Sequence, residues 1–279
     1  MEVLHNCINK QTSKVLKTVK PIKKNMKENL LRQRLLQNKT SYGVISPTTD
    51  PVICEYMGLY GMDFYIMDAE HGTLTISEVA HMIRACETGG ITPLARINSL
   101  DEKMILQYFD AGCMGVMMPG TNTVDDCKKL VDYVKYYPQG KRGLGPVRSA
   151  DYMAGKLSQQ EYLTFSNTQT LVFPMIETRI SLGNLSEMVK VEGVDGFILG
   201  PRDLALSMGF TDGPAHDEVK KVINEAIAIV TGAGKIFGTV AATAEQAKEL
   251  TDKGVTLLLN SVQGLMTPAV KAFMKDRIS

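Results

Sequence analysis

Short apolar runs recur along the chain, each followed by a polar or glycine-rich break and then a segment with apolar residues at helical spacing. Runs at 42–45, 64–68, 92–96, 115–118, 171–176, 196–199, 235–240 and 255–259 read as buried strands. Helices are expected at 26–37, 51–57, 77–88, 101–111, 123–136, 181–191, 204–208, 217–231, 244–253 and 266–277. Asp50-Pro51 supplies an N-cap followed by proline at the first helical position, and Gly89-Gly90 supplies a stop. From Pro138 to Thr168 no period holds, so an irregular stretch is expected there; a loop that long in a compact domain is usually functional.

Strand and helix therefore alternate eight times, which implies βαβ units and a parallel sheet. Eight units in a chain of 279 residues fit a single (β/α)8 TIM barrel of the α/β class. A doubly wound sheet is the alternative, but no strand runs into G-x-G-x-x-G and a helix, so a dinucleotide site is not expected. The division is 1–40, a basic extension with the first helix, and 41–279, the catalytic barrel.

Apolar residues make up 44% of the chain, enough for a large core, and no run is long enough to span a membrane. Five cysteines without a C-x-x-C pair suit a reducing cytoplasm with buried thiols. The net charge of +1 is unevenly spread. Residues 1–40 hold ten basic and two acidic side chains, a net of +8, which leaves −7 on the remainder. The barrel thus has no basic excess for nucleic acid. Met26 reads as a natural start, which would make residues 1–25 an extension without a structural role.

In a barrel of this kind the chemistry sits at the carboxyl ends of the strands. Those ends read Ser46; Asp68, Glu70 and His71; Arg96; Pro119; Glu177; Asp203; and Asn260, while the other rim is glycine turns. A carboxylate beside an imidazole fixes its tautomer and raises its basicity, which suits His71 and Asp68 to proton transfer. Four carboxylates against one arginine need compensation. Either a hard divalent ion sits on Glu177 and Asp203, or Arg142, Arg148 or Arg202 neutralises the excess. The glycine-rich stretch 140–148 is expected to turn near the mouth and lend Arg142 or Arg148 to substrate. A non-catalytic scaffold would have no reason to gather carboxylates at one end.

Asp68-Ala69-Glu70-His71-Gly72, Ile91-Thr92-Pro93-Leu94-Ala95-Arg96, Phe109-Asp110-Ala111-Gly112, Lys141-Arg142-Gly143-Leu144-Gly145, Met175-Ile176-Glu177-Thr178 and Gly200-Pro201-Arg202-Asp203-Leu204 resemble the HpcH/HpaI family of class II pyruvate aldolases. The likeness runs from about Ser41 to Leu265. It implies a 4-hydroxy-2-oxo acid aldolase that works through the enolate of a 2-oxo acid. It also implies Mg²⁺, Mn²⁺ or Co²⁺ on Glu177 and Asp203, Arg96 on the enolate oxygen, and His71 as base oriented by Asp68. Amides near Gly200 and Pro201 would hold the substrate carboxylate, with Glu70 and Arg148 beside it. Asp110 would reach a neighbouring subunit's site in a hexamer whose last helix is exchanged. Two departures, the absence of tryptophan and Met175 two residues before Glu177, resemble the siderophore citrate synthase branch of the superfamily. That branch is metal-independent and joins oxaloacetate to acetyl-CoA, so it implies no cofactor.

Overall fold

A computed structural model describes residues 26–275 and 277. The basic tail at 1–25 lies outside the described residues. Eight parallel strands close in sequence order: β1 (Ser41–Ser46), β2 (Phe64–Asp68), β3 (Thr92–Arg96), β4 (Gly115–Met118), β5 (Leu171–Ile176), β6 (Gly196–Leu199), β7 (Ile236–Val240) and β8 (Leu257–Ser261). Before them comes α1 (Leu30–Leu36). Around them run α2 (Pro51–Leu59), α3 (Ile76–Gly89), α4 (Glu102–Ala111), α5 (Val124–Val134), α6 (Gln159–Gln169), α7 (Arg179–Met188), α8 (Pro201–Ser207), α9 (Asp217–Gly232), α10 (Ala244–Asp252) and α11 (Val262–Phe273). No described helix is long and apolar enough to cross a membrane.

Strand alternation divides the core in two. Phe64, Ile66, Leu94, Met117, Leu171, Phe173, Met175, Ile198, Leu257 and Leu259 fill the barrel. The intervening residues, such as Tyr65, Met67, Ala95, Val116 and Val172, pack against the helices. Gly43 faces inward where a Cβ would stand 2.5 Å from the Phe64 ring, so the interior is filled by one large side chain beside an empty one. Leu31 and Leu35 of α1 close the amino end of the barrel and belong to the same inner cluster. Asn29 locks that plug: its amide donates to the carbonyls of Met114 (3.1 Å) and Gln169 (2.7 Å), while its Oδ1 caps α1 by accepting from Arg32 N.

Three expectations change. The stretch 138–168 is not irregular throughout: it contains a 3-10 turn at Arg148–Met153 and the helix α6. Ser158 and Glu161 form a capping box at the start of α6, a signal present in the sequence. The eighth strand sits two residues later than expected, which keeps its parity and puts Asn260 on the outward-facing set between Leu259 and Ser261. The last helix starts directly at Val262, capped by Ser261.

Candidate active site

The alternation that places Phe64 and Ile66 inside turns Asp68 inward one step nearer the mouth. The same rule sets Arg96 above Leu94 and Glu177 above Met175. In the β2–β3 ladder Asp68 stands directly opposite Arg96. The result is a two-pronged ion pair, Nε to Oδ1 at 2.9 Å and Nη2 to Oδ2 at 2.6 Å. Asp68 is 4% exposed and Arg96 9%. Burying both charges is tolerable because each is further satisfied. Asp68 Oδ1 also accepts the backbone amides of Glu70 (3.2 Å) and His71 (3.3 Å), and Arg96 Nη1 meets Glu70 Oε2 at 3.2 Å. Burial works to raise the Asp68 carboxyl, yet the guanidinium and the two amides outweigh it and hold it below the usual carboxylate range.

This arrangement corrects one expectation. Asp68 does not orient the His71 ring, because its oxygens are engaged by Arg96 and by the turn itself. It fixes the His71 backbone instead, and the imidazole is exposed with no hydrogen-bond partner among the described residues. Gly72 makes the tight turn possible: a Cβ there would lie 2.2 Å from the Asp68 carbonyl and 3.0 Å from Pro47 Cα.

On the far side of the mouth, Glu177 Oε1 accepts the Gly120 amide at 2.6 Å. Glu177 and Asp203 both border Gly200: a Cβ built there would stand 3.4 Å from Glu177 Cβ and 3.5 Å from Asp203 Oδ2. Burial, then repulsion from Glu70 and Asp203, raises the Glu177 carboxyl against the pull of the Gly120 amide and Arg96. The mouth is therefore short of positive charge at Glu177. No described cluster offers three or more His, Cys, Asp or Glu side chains as a metal cage. A pair of carboxylates leaving places for water and substrate is nevertheless what Mg²⁺ commonly takes.

Amides near Gly200 and Pro201 were expected to hold a carboxylate. These two residues do not supply them: proline has no N–H, and the Gly200 N–H donates to the Ile176 carbonyl at 3.0 Å. Their part is to start α8, which carries Asp203 in its first turn.

Arg148 is not at the mouth. Its Nη1 donates to the Ala111 carbonyl at 3.0 Å and its Nη2 to Glu87 Oε2 at 2.5 Å. Glu87 and Ala111 end α3 and α4, which run opposite to the strands and so finish at the amino end of the barrel. Arg142 lies there too, paired with Asp110 at 2.8 Å and stacked on Phe109 and Tyr136. Asp110 thus sits at the opposite end of this chain from Asp68, Arg96 and Glu177. A cavity of about 610 Å³ at this end is lined by Arg142, Arg148 and Glu87, charges already paired with one another or with Asp110. Of the three arginines that could have neutralised the mouth, only Arg202, exposed on α8, remains in place to do so.

A family model for HpcH/HpaI aldolase/citrate lyase matches residues 41–267. The chain belongs to that family. It is 27% identical over 238 residues to a 2-keto-3-deoxy-L-rhamnonate aldolase of Escherichia coli, covering 85% of this chain and 88% of the relative. The HpcH/HpaI aldolase of Desulfitobacterium hafniense superposes with a TM-score of 0.83 at 25% identity, over 89% of this chain and 96% of that one. The citrate synthase SbnG superposes with a TM-score of 0.81 at 25% identity, over 90% and 98%. As a member of the HpcH/HpaI family the protein is an enzyme of the carbon–carbon lyase type.

Proposed function

We propose that this HpcH/HpaI enzyme is a metal-dependent aldolase for a 4-hydroxy-2-oxo acid, with Glu177 and Asp203 as the metal-holding residues. The observation that carries the reading is the cation deficit at Glu177, which is half-buried near Glu70 and Asp203 with no arginine or lysine paired to it among the described residues. A divalent ion, Mg²⁺, Mn²⁺ or Co²⁺, would supply that charge and polarise the carbonyl of a chelating 2-oxo acid.

The other residues have separate tasks. Asp68 takes two of the five guanidinium N–H groups of Arg96 and Glu70 faces Nη1 as an ion pair, leaving further N–H groups to donate to the developing enolate oxygen. The rigid ion pair keeps that donor oriented before substrate arrives. His71, on the turn braced by Asp68 and free to move its ring, carries the proton to or from the carbon next to the carbonyl. Glu70, half-buried beside Arg96, lines the route to the acceptor.

The likeness to SbnG supports a second reading, a metal-independent citrate synthase acting on oxaloacetate and acetyl-CoA. It requires extra cations for two anionic substrates. Of Arg148 and Arg202, either of which was open to that role, Arg148 is bound to Glu87 at the other end of the barrel, which leaves Arg202 alone for two anionic substrates, and this favours the aldolase. Purified protein with Mn²⁺ should exchange the methyl protons of pyruvate in deuterated water and lose that activity with chelator. Chelator-resistant thiol release from acetyl-CoA and oxaloacetate would reverse the choice. Glu177→Gln should abolish turnover in either case and, for the aldolase, weaken Mn²⁺ binding.

The enzyme is proposed to be a cytoplasmic homo-oligomer, a hexamer with its last helix exchanged. Beyond its first turn α11 is exposed, with Phe273 91% accessible, and α2 shows a second bare apolar stripe of Val52, Tyr56, Leu59 and Tyr60. Light scattering on purified protein tests this, a monomer being the contrary result.

A further inference from the structure

The Glu177 carboxylate is held by the N–H of Gly120, and the carbonyl of that same glycine is held by a side chain two residues further on. Gly120 follows β4 in the turn 119–122 and donates its N–H to Glu177 Oε1 at 2.6 Å. Its φ of +66° is a conformation that glycine adopts without strain, and a Cβ there would meet nothing within 4 Å. Space does not keep this peptide in place, so bonds must.

Asn122 provides them. Its Nδ2 donates to the Gly120 carbonyl at 3.1 Å, and its Oδ1 accepts the hydroxyl of Thr178, the residue directly after Glu177. The orientation of the amide is decided by chemistry, since a carbonyl can only be met by the NH₂ side. Its own backbone is clamped on both sides: the N–H donates to Asp126 Oδ2 at 3.1 Å, and the carbonyl accepts Asn184 Nδ2 at 2.8 Å. One residue earlier, Thr121 Oγ1 donates to the Met118 carbonyl and accepts the Met175 amide, stitching β4 to β5 just below Glu177. One side chain therefore ties the carbonyl side of Gly120, the residue whose N–H bonds Glu177, to Thr178, the residue that follows Glu177 in sequence.

We infer that Asn122 is a positioning residue: by tying Gly120 to Thr178 it sets the Glu177 carboxylate in the orientation in which that group receives a divalent cation. The inference rests on the proposed role of Glu177 as a ligand, and removal of partners that orient a metal-binding carboxylate commonly lowers affinity 10–100-fold.

Full-length protein and Mn²⁺ alone, followed by electron paramagnetic resonance of the free ion, test it. Asn122→Ala should raise the Mn²⁺ dissociation constant about 10-fold, with the fold retained by circular dichroism. Thr178→Val should do the same, Thr178→Ser should bind as the wild type does, and the double variant Asn122→Ala/Thr178→Val should be no weaker than the worse single change, because both break one link. A merely structural role would instead lower the melting temperature and leave the dissociation constant of the folded fraction unchanged. That result in Asn122→Ala overturns the inference, as does wild-type affinity in Thr178→Val should the first variant not fold. Glu177→Gln separates the two levels. If it binds Mn²⁺ normally, the ligand assignment itself fails, and the inference with it. If it binds weakly while Asn122→Ala and Thr178→Val bind normally, only the inference fails.

Discussion

Replacing Arg96 by methionine is the most searching test of how the mouth is built. The change keeps most of the side-chain volume and removes only the charge and its donors. Asp68 then keeps two backbone amides but loses both prongs of its ion pair, at 4% exposure. Breaking a buried pair from one side costs about 3–5 kcal/mol, because an uncompensated charge is left behind. For a domain of this size that corresponds to a fall of roughly 6–20 °C in melting temperature, at about 2–4 °C per kcal/mol. The pH dependence has a definite sign. In the wild type the Asp68 carboxyl is held below its ordinary value, so its contribution is present above the unfolded value and is lost as pH falls through the lower, folded one. In Arg96→Met the burial that works to raise the carboxyl is no longer opposed by a guanidinium. The group then takes up a proton in mild acid and the penalty shrinks. Urea unfolding at pH 7 and pH 4.5 should therefore show a large loss at the first and a smaller one at the second. Adding Asp68→Asn should recover most of the loss, since no buried charge is then left unpaired. A loss under about 1 kcal/mol, a loss independent of pH, or simple additivity of the two changes would refute the argument.

Arg148→Ala should leave kcat/KM within about threefold of wild type while lowering stability by roughly 1–3 kcal/mol, since it removes a partner of half-buried Glu87 and of the Ala111 carbonyl; steady-state kinetics beside urea melts would show it, and a large catalytic loss in a stable protein would count against its placement. Leu31→Ala, in the plug that closes the barrel, should cost about 2–5 kcal/mol and leave the KM of the remaining folded enzyme unchanged. Asn29→Ala should destabilise through the lost bonds to the Met114 and Gln169 carbonyls and the lost cap of α1, read as faster amide exchange at the amino end of the barrel than at the mouth.

The order of elements was legible because each apolar run is short, most are buried on both faces, and they are punctuated by caps such as Asp50-Pro51 that act within a few residues. The mouth residues on β2, β3 and β5 were legible for the same reason. Once Phe64, Leu94 and Met175 are inside, the period of two leaves Asp68, Arg96 and Glu177 no other direction. The helix α6 escaped notice because its buried face is made of Tyr162, Ser166 and Asn167 rather than of aliphatic residues, so its capping box was the only local mark.

What the chain determined by itself was local: where strands begin and end, which face each side chain takes, and hence which charges share the barrel mouth. What only the folded molecule decided was the partner of each long side chain. Arg148 stands in a loop that could have folded toward either end, and the carbonyl of Ala111 and the carboxylate of Glu87 drew it to the base. Asp68 could have served His71, but the β2–β3 register put a guanidinium opposite it first. A flexible charged side chain finds its bond among groups distant in sequence, and no pattern along the chain records which of them the fold brings within reach.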